Sequence, residues 1–213
     1  MINVIEKLKS KVINEISRII NSRYEKKVRR RLKNQNFSII CSNCIGGVIY
    51  NRLGEKFLSP TINLWMNQKD FLKMVSNLKK YMDEELAFFH GEYDYPTAFL
   101  GDVKIYFNHS KTEDDARNDW NRRKSRINYD NLYIIMYDRN GLTNEDFDTL
   151  SNIDCKNKVV LSTSENQQFS FVKKLVPHNE RVNGPQCLDK DIFGIRTFEK
   201  QWDYVDWLNR GAE

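Results

Sequence analysis

The chain of 213 residues, 40% apolar and 12% aromatic, suits one domain with appendages and excludes a wholly disordered polypeptide. Its formal charge of +5 averages two unlike parts: residues 1–33 hold eleven Lys or Arg against three Glu, +8, which leaves the remainder at −3. The basic character belongs to an N-terminal arm, and an acidic body without a matching motif argues against nucleic acid as a partner.

Within the arm, Ile5, Leu8, Val12, Ile16, Ile19, Tyr24 and Val28 recur at three- to five-residue intervals, with Lys and Arg between them and neither Gly nor Pro. This pattern predicts an amphipathic helix with a cationic polar face. It has no continuous apolar stretch of the signal-peptide kind, and charges interrupt every turn, which excludes a transmembrane span. Such a helix either packs on its own body or on a twin, leaving an oligomer open, or lies on an anionic membrane surface. The domain reading is an arm over 1–33, a polar hinge at Asn34-Gln35-Asn36, and a single α/β domain over 36–213.

Phe37, Ile39, Ile40 and Cys41 predict a short buried strand, followed by a tight turn carrying Asn43, Cys44, Gly46 and Gly47. The two glycines are expected to let backbone amides approach a ligand. Open α/β sheets place ligands beyond such strand ends, which puts the Cys44 thiol at the mouth of a site. Val48, Ile49 and Leu53 suggest a short helix closed by Gly54, and Thr61–Met66 reads as a second buried strand. Asp70–Met82 predicts one helix with Phe71, Met74, Val75, Leu78 and Met82 on a common face.

Further on, 98–100 and 103–107 flank Gly101-Asp102 as a hairpin, with Val103, Ile105 and Phe107 inward and His109 continuing that parity. Thr112, with Asp115 three residues later, opens a helix reaching about Arg126. Leu132–Tyr137 is the strongest strand and ends at Asp138-Arg139-Asn140-Gly141. Thr143 with Asp146 starts another helix, Lys158–Leu161 is a strand, residues 167–194 are irregular, and Phe198–Leu208 is a closing helix. The alternation predicts an α/β three-layer sandwich, its sheet mostly parallel or mixed, with helices on both faces.

The segments SNCIGGVIY, LG-x-x-F-x-SPTINL, FLGDVKIYFNHSKT and W-x-x-RKSRIN-x-DNLYIIMYDRNGLT carry a resemblance. Together they resemble the DUF1919 family, found among bacterial exopolysaccharide and capsule biosynthesis proteins, from about Asn36 to Thr163 and more loosely beyond. The resemblance implies an α/β fold and a pathway context, without a reaction.

Among candidate side chains, Cys44 near a helix N-terminus suits a nucleophile whose thiolate is favoured, or a structural cysteine in a turn too tight for anything larger. Asn43 is placed to donate its amide to an oxyanion or sugar hydroxyl, or to cap the next helix. His109, at a strand end in polar context, is the better general base among the three histidines. Arg122 and Arg126 share a helix face at i, i+4 and suit a diphosphate or acidic sugar, or form a solvated face. Asp138 and Arg139 follow the strongest strand, and Asp138 is placed to hold a metal, bind sugar hydroxyls or orient His109, or else to make a turn with its own backbone amides; Asp102 has the same dual reading.

No metal site is expected, because Cys41 and Cys44 lack a second pair and Cys155 and Cys187 stand far apart. The glycines match no phosphate-binding fingerprint, and no cofactor is assigned. With no export signal read in the sequence, a cytoplasmic protein with reduced thiols is expected, and a peripheral place on the inner face of the membrane is open to the arm. The sequence thus yields three readings. The first is a transferase-like enzyme of surface-polysaccharide synthesis, acting on an anionic activated sugar or acyl donor and a glycan acceptor. The second is a Cys-His acyl-transfer enzyme or hydrolase using Cys44 and His109. The third is a non-catalytic glycan-binding or assembly protein.

Overall fold

The computed structural model describes residues 2–138, 141–163, 168–176 and 186–211. Its helices in chain order are α1 (Ile2–Arg31), α2 (Ile45–Leu53), α3 (Gln68–Ser76), α4 (Leu78–Asp83), α5 (Glu113–Lys124), α6 (Asn144–Asn152), α7 (Thr197–Gln201) and α8 (Tyr204–Arg210). Its strands are β1 (Ser38–Cys41), β2 (Leu86–Phe89), β3 (Thr97–Leu100), β4 (Val103–Tyr106), β5 (Leu132–Tyr137), β6 (Asn157–Ser162) and β7 (Val172–Lys174).

The apolar strand β5 lies inside a parallel sheet of order β1-β5-β6-β7, with Cys41 opposite Ile135 and Tyr137 opposite Leu161. Side chains alternate across it, as a period of two requires. Ile40, Ile134, Met136 and Val160 enter one core with residues of α3, α5 and α6. Ile39, Cys41, Tyr133, Ile135 and Leu161 enter the other, with α2, α7, α8 and Val28 of α1. Helices therefore cover both faces, as the sequence predicts, and each buried Ile or Leu contributes about 1.5–3 kcal/mol.

A second, antiparallel sheet of order β2-β3-β4 contains the expected hairpin and an additional strand, β2. Two backbone hydrogen bonds of 3.0 Å between Trp65 and Tyr106, and one of 3.1 Å from Met66 N to Ser42 O, tie this small sheet to the carboxyl end of β1. That tie brings the chain after β4 to the turn that follows β1.

Thr61–Met66 is not a strand. Asn63 sits in the left-handed region at φ 60°, and Thr61 makes local bonds to Ser59. What this segment offers β1 is a side chain: Thr61 Oγ1 accepts from Cys41 N at 2.9 Å, while Tyr50 Oη accepts from Ile39 N at 3.0 Å. The outer edge of β1 is thus satisfied without a neighbouring strand. Two expected helices are also each divided, at Asn77 between α3 and α4 and at Trp202-Asp203 between α7 and α8.

The arm divides within α1 rather than at residue 33. Ser17 Oγ donates to Ile192 O at 3.0 Å, Asn21 Nδ2 donates to Phe193 O, Tyr24 packs against the core and Val28 is buried in it. Arg52, buried, bridges Glu25 of α1 at 3.0 Å and Glu199 of α7 at 2.6 Å. Asn34 is no free hinge: it is buried, and its Nδ2 donates to Tyr133 Oη at 2.8 Å and Leu208 O at 2.9 Å. None of the described helices is long and apolar enough to cross a membrane.

Candidate functional site

The parallel strands β1 and β5 end on one edge, and there the turn after β1 meets the turn after β4. Cys44 Sγ and His109 Nε2 lie 3.3 Å apart. His109 does not continue the inward parity of Val103, Ile105 and Phe107. The strand stops at Tyr106, and a turn closed by Ser110 N donating to Phe107 O at 2.9 Å swings the imidazole outward onto Cys44.

Cys44 is half-buried and heads α2. Burial pushes its thiol up from the usual range, and the positive charge of Arg196 offsets part of that rise. The neutral thiol is therefore the resting form, against the expectation of a favoured thiolate, and a base beside it is what would make it nucleophilic. Cys41, on the strand, is fully buried and pushed up to about 12 by desolvation.

A cavity of about 290 Å3 opens beside Cys44. Its wall is built by the β1–α2 turn with Ser42 and Asn43, by residues 65–68 leading into α3, by Asn108 next to His109, and by Tyr137 at the end of β5. Among the described residues lining it, none carries a formal charge. Trp65 stacks on Tyr106 with centroids 3.8 Å apart, Tyr93 stacks on Tyr95 at 4.9 Å, and Trp65 Nε1 donates to Tyr95 Oη at 3.3 Å. This aromatic ledge and the carboxamides of Asn67, Gln68 and Asn108 escape a reading of the sequence, because only the pairing of Trp65 with Tyr106 assembles them.

Asp138 lies at the same sheet edge, buried, with all its described bonds to neutral donors. Oδ1 accepts from Gly141 N at 2.9 Å and Gln68 Nε2 at 3.2 Å; Oδ2 accepts from Ser162 Oγ at 2.8 Å. It does not orient His109. It fixes Gln68, which lines the cavity, and closes its own turn. Asn43 turns its Oδ1 inward to accept from Ile45 N at 2.9 Å, so its carbonyl is spent on the turn.

The remaining candidates are placed elsewhere. Gly46 and Gly47 serve close packing rather than a ligand: a Cβ on Gly46 would meet Ile62 Cδ1 at 3.1 Å and Cys41 Cβ at 3.2 Å, and one on Gly47 would meet Asn63 Oδ1 at 2.8 Å. Asp102 is at the far end of β4 from His109, exposed, accepting from Tyr81 Oη at 2.7 Å and Lys73 Nζ at 3.0 Å. Those two donors lower its pKa.

Helix α5 starts near the site and carries Arg122 away from it over about 14 Å. Its far end reaches the amino-terminal edge, where Asn128 N donates to Ser38 Oγ at 2.8 Å. Arg122 is exposed and paired with Asp119, and Arg126 is exposed beyond the end of the helix. The buried member of the cluster is Arg123, which donates to Ile62 O at 3.1 Å and Asp119 Oδ2 at 2.5 Å. Arg139 lies outside the described residues. Among the described residues no group of three or more His, Cys, Asp or Glu is placed to hold a metal ion.

Two comparisons bear on this arrangement. The family model for the domain of unknown function DUF1919 matches residues 15–209. An uncharacterized protein of Haemophilus influenzae (strain Rd) is 31% identical over 207 residues, covering 97% of this chain and 98% of that protein. The family match begins where α1 starts to dock on the body and includes Cys44, His109 and the cavity wall between them. The chain belongs to the DUF1919 family.

Proposed function

We propose that this chain is a Cys-His acyl-transfer enzyme or hydrolase acting on a polyhydroxylated acceptor, in the cytoplasm and within surface-polysaccharide synthesis. The observation that carries the reading is the 3.3 Å contact between Cys44 Sγ and His109 Nε2 at the edge of a cavity. In this mechanism His109 takes the thiol proton as Sγ attacks an acyl carbonyl carbon, and returns it to the departing oxygen or nitrogen. The resulting thioester is then attacked by an acceptor hydroxyl or water, whose proton passes to His109 and back to Sγ as the acyl–sulfur bond breaks.

The glycan acceptor is supported by the uncharged wall, in which the carboxamides of Gln68 and Asn108 supply hydrogen bonds, Asn67 being engaged in capping α3, and Trp65 and its tyrosine neighbours supply flat apolar surface. The pathway rests on the resemblance of the motifs described above. An anionic activated donor held by Arg122 and Arg126 has less support, because both lie towards the opposite edge of the sheet.

The test is acylation by p-nitrophenyl acetate followed by intact mass. One acetyl group on Cys44, absent from Cys44→Ala and slowed in His109→Ala, is the expected result. Equal acetylation of the Cys44→Ala protein would overturn the reading.

A further inference from the structure

Helix α1 presents two different faces, set by its 100° rotation per residue. The inner one, through Ser17, Asn21, Tyr24 and Val28, is docked on the body. Leu8, Val12, Ile16 and Ile19 fall on a strip turned roughly 150° away from it, and they are 58%, 57%, 42% and 43% exposed. Continued along the axis, the same strip carries Arg23, Lys26 and Arg30, all exposed. Lys11 and Arg18 flank it on one side and Lys9 and Lys27 on the other, also exposed. The one acidic residue close to the strip, Glu15, is paired with Arg18 at 2.6 Å.

We propose that α1 lies on an anionic lipid surface, its apolar strip sunk among the acyl chains and its basic row on the headgroups, with the body held on the water side. Charge complementarity selects this occupant. Long basic side chains beside an apolar strip can place their stems in the interface and their charges among phosphates. A second copy docked in parallel would set Arg23, Lys26 and Arg30 against their own counterparts. Nucleic acid would engage the basic row but leave the apolar strip in water. From Ser17 to Val28 the inner face is already satisfied by the body, so attachment needs no rearrangement of the fold and leaves the Cys44 cavity unchanged.

The experiment is co-sedimentation of the full chain with vesicles of phosphatidylglycerol and phosphatidylcholine, against pure phosphatidylcholine, at low and raised salt. Binding is expected only to the anionic vesicles and to weaken with salt. Neutralising the row as Arg23→Gln, Lys26→Gln and Arg30→Gln should weaken it about 100-fold, at roughly fivefold per residue. Replacing the strip as Leu8→Gln, Val12→Gln and Ile16→Gln should abolish it while circular dichroism and melting temperature stay unchanged, since these side chains touch no core residue. The proposal is overturned if the wild type ignores anionic vesicles. It is equally overturned if the strip variants bind as well as wild type, if sedimentation equilibrium shows a dimer that the strip variants dissolve without any vesicle binding, or if DNA or RNA binds where vesicles do not.

Discussion

The two edges of the parallel sheet differ in a way that residue type alone would misjudge. The amino-terminal edge gathers conspicuous polar chemistry: Arg122, Arg126, Asn128, and Asn34 bonded through Tyr133. Its described polar groups mostly bind one another, closing the fold. The carboxyl-terminal edge has an uncharged cavity wall and a single thiol–imidazole contact. Strand direction, rather than charge density, marks where a ligand can enter, because loops at the carboxyl ends splay apart and leave a crevice.

The sharpest way to break this comparison is His109→Ala. If the carboxyl edge carries the chemistry, Cys44-dependent acetylation should fall by about 10²–10⁴-fold, the usual worth of a positioned base. Intact mass over time measures it. A fall under threefold would reduce the contact to a packing detail.

Next in size is a change that strikes the scaffold under the same edge. Gly46→Val places branched carbon where a Cβ already meets Ile62, Cys41 and Ile39 at 3.1–3.3 Å. Pushing α2 off β1 should cost about 1–3 kcal/mol, read as a lower urea midpoint at unchanged slope. An unchanged midpoint would mean that α2 can shift freely and that the position of Cys44 is loosely held.

A smaller effect concerns protonation at the site. Burial raises the Cys44 pKa and Arg196 lowers it, so the thiolate is scarce at neutral pH and grows as pH rises through the raised value. Removing the cation as Arg196→Gln should raise that pKa further and slow iodoacetamide labelling of Cys44 at pH 8 by about two- to fivefold, with the rates converging at high pH. Arg196 also packs against Glu199, so a melting temperature must accompany the measurement. Faster labelling in the variant would reverse the assigned sign.

How much of this could be read from the residues follows from how local each signal is. The extent of β5, the Thr112 and Thr143 caps and the Gly54 stop are legible because each depends on a few neighbours: Thr143 and Asp146 form a reciprocal capping box, and Gly54 takes φ 76°. The strand expected at 61–66 fails because Thr61 and Asn63 serve other backbone groups than a ladder, which composition does not reveal. At the site, Cys44 and His109 are nameable from strand-end logic, yet the reason they meet is not. His109 follows a strand of the antiparallel sheet, and two hydrogen bonds between Trp65 and Tyr106 bring that strand across. Asp138 carries the same strand-end signal and reaches the cavity through Gln68. The aromatic ledge, spread over 65–106, is a product of that long-range pairing.

The smallest expected effect is the other half of the comparison. Arg122→Ala combined with Arg126→Ala removes two cations at the amino-terminal edge, where Arg122 is paired with Asp119 of its own helix and both side chains are exposed. An exposed pair of this kind is worth about 0–1 kcal/mol, so the melting temperature should barely move. The acetylation rate of Cys44 should stay within about twofold, because screening at ordinary salt removes most of the influence of an exposed charge beyond roughly 10 Å. Arg123 is the necessary contrast. It is buried, donates to Ile62 O at 3.1 Å and lies over the Phe57 ring at 5.2 Å, so Arg123→Ala should lower stability by about 1–3 kcal/mol while leaving the chemistry to Cys44 and His109. A double variant at 122 and 126 that lost acetylation while still folding would place anion recognition back at the amino-terminal edge, and the uncharged cavity would then be the wrong place to look for the substrate.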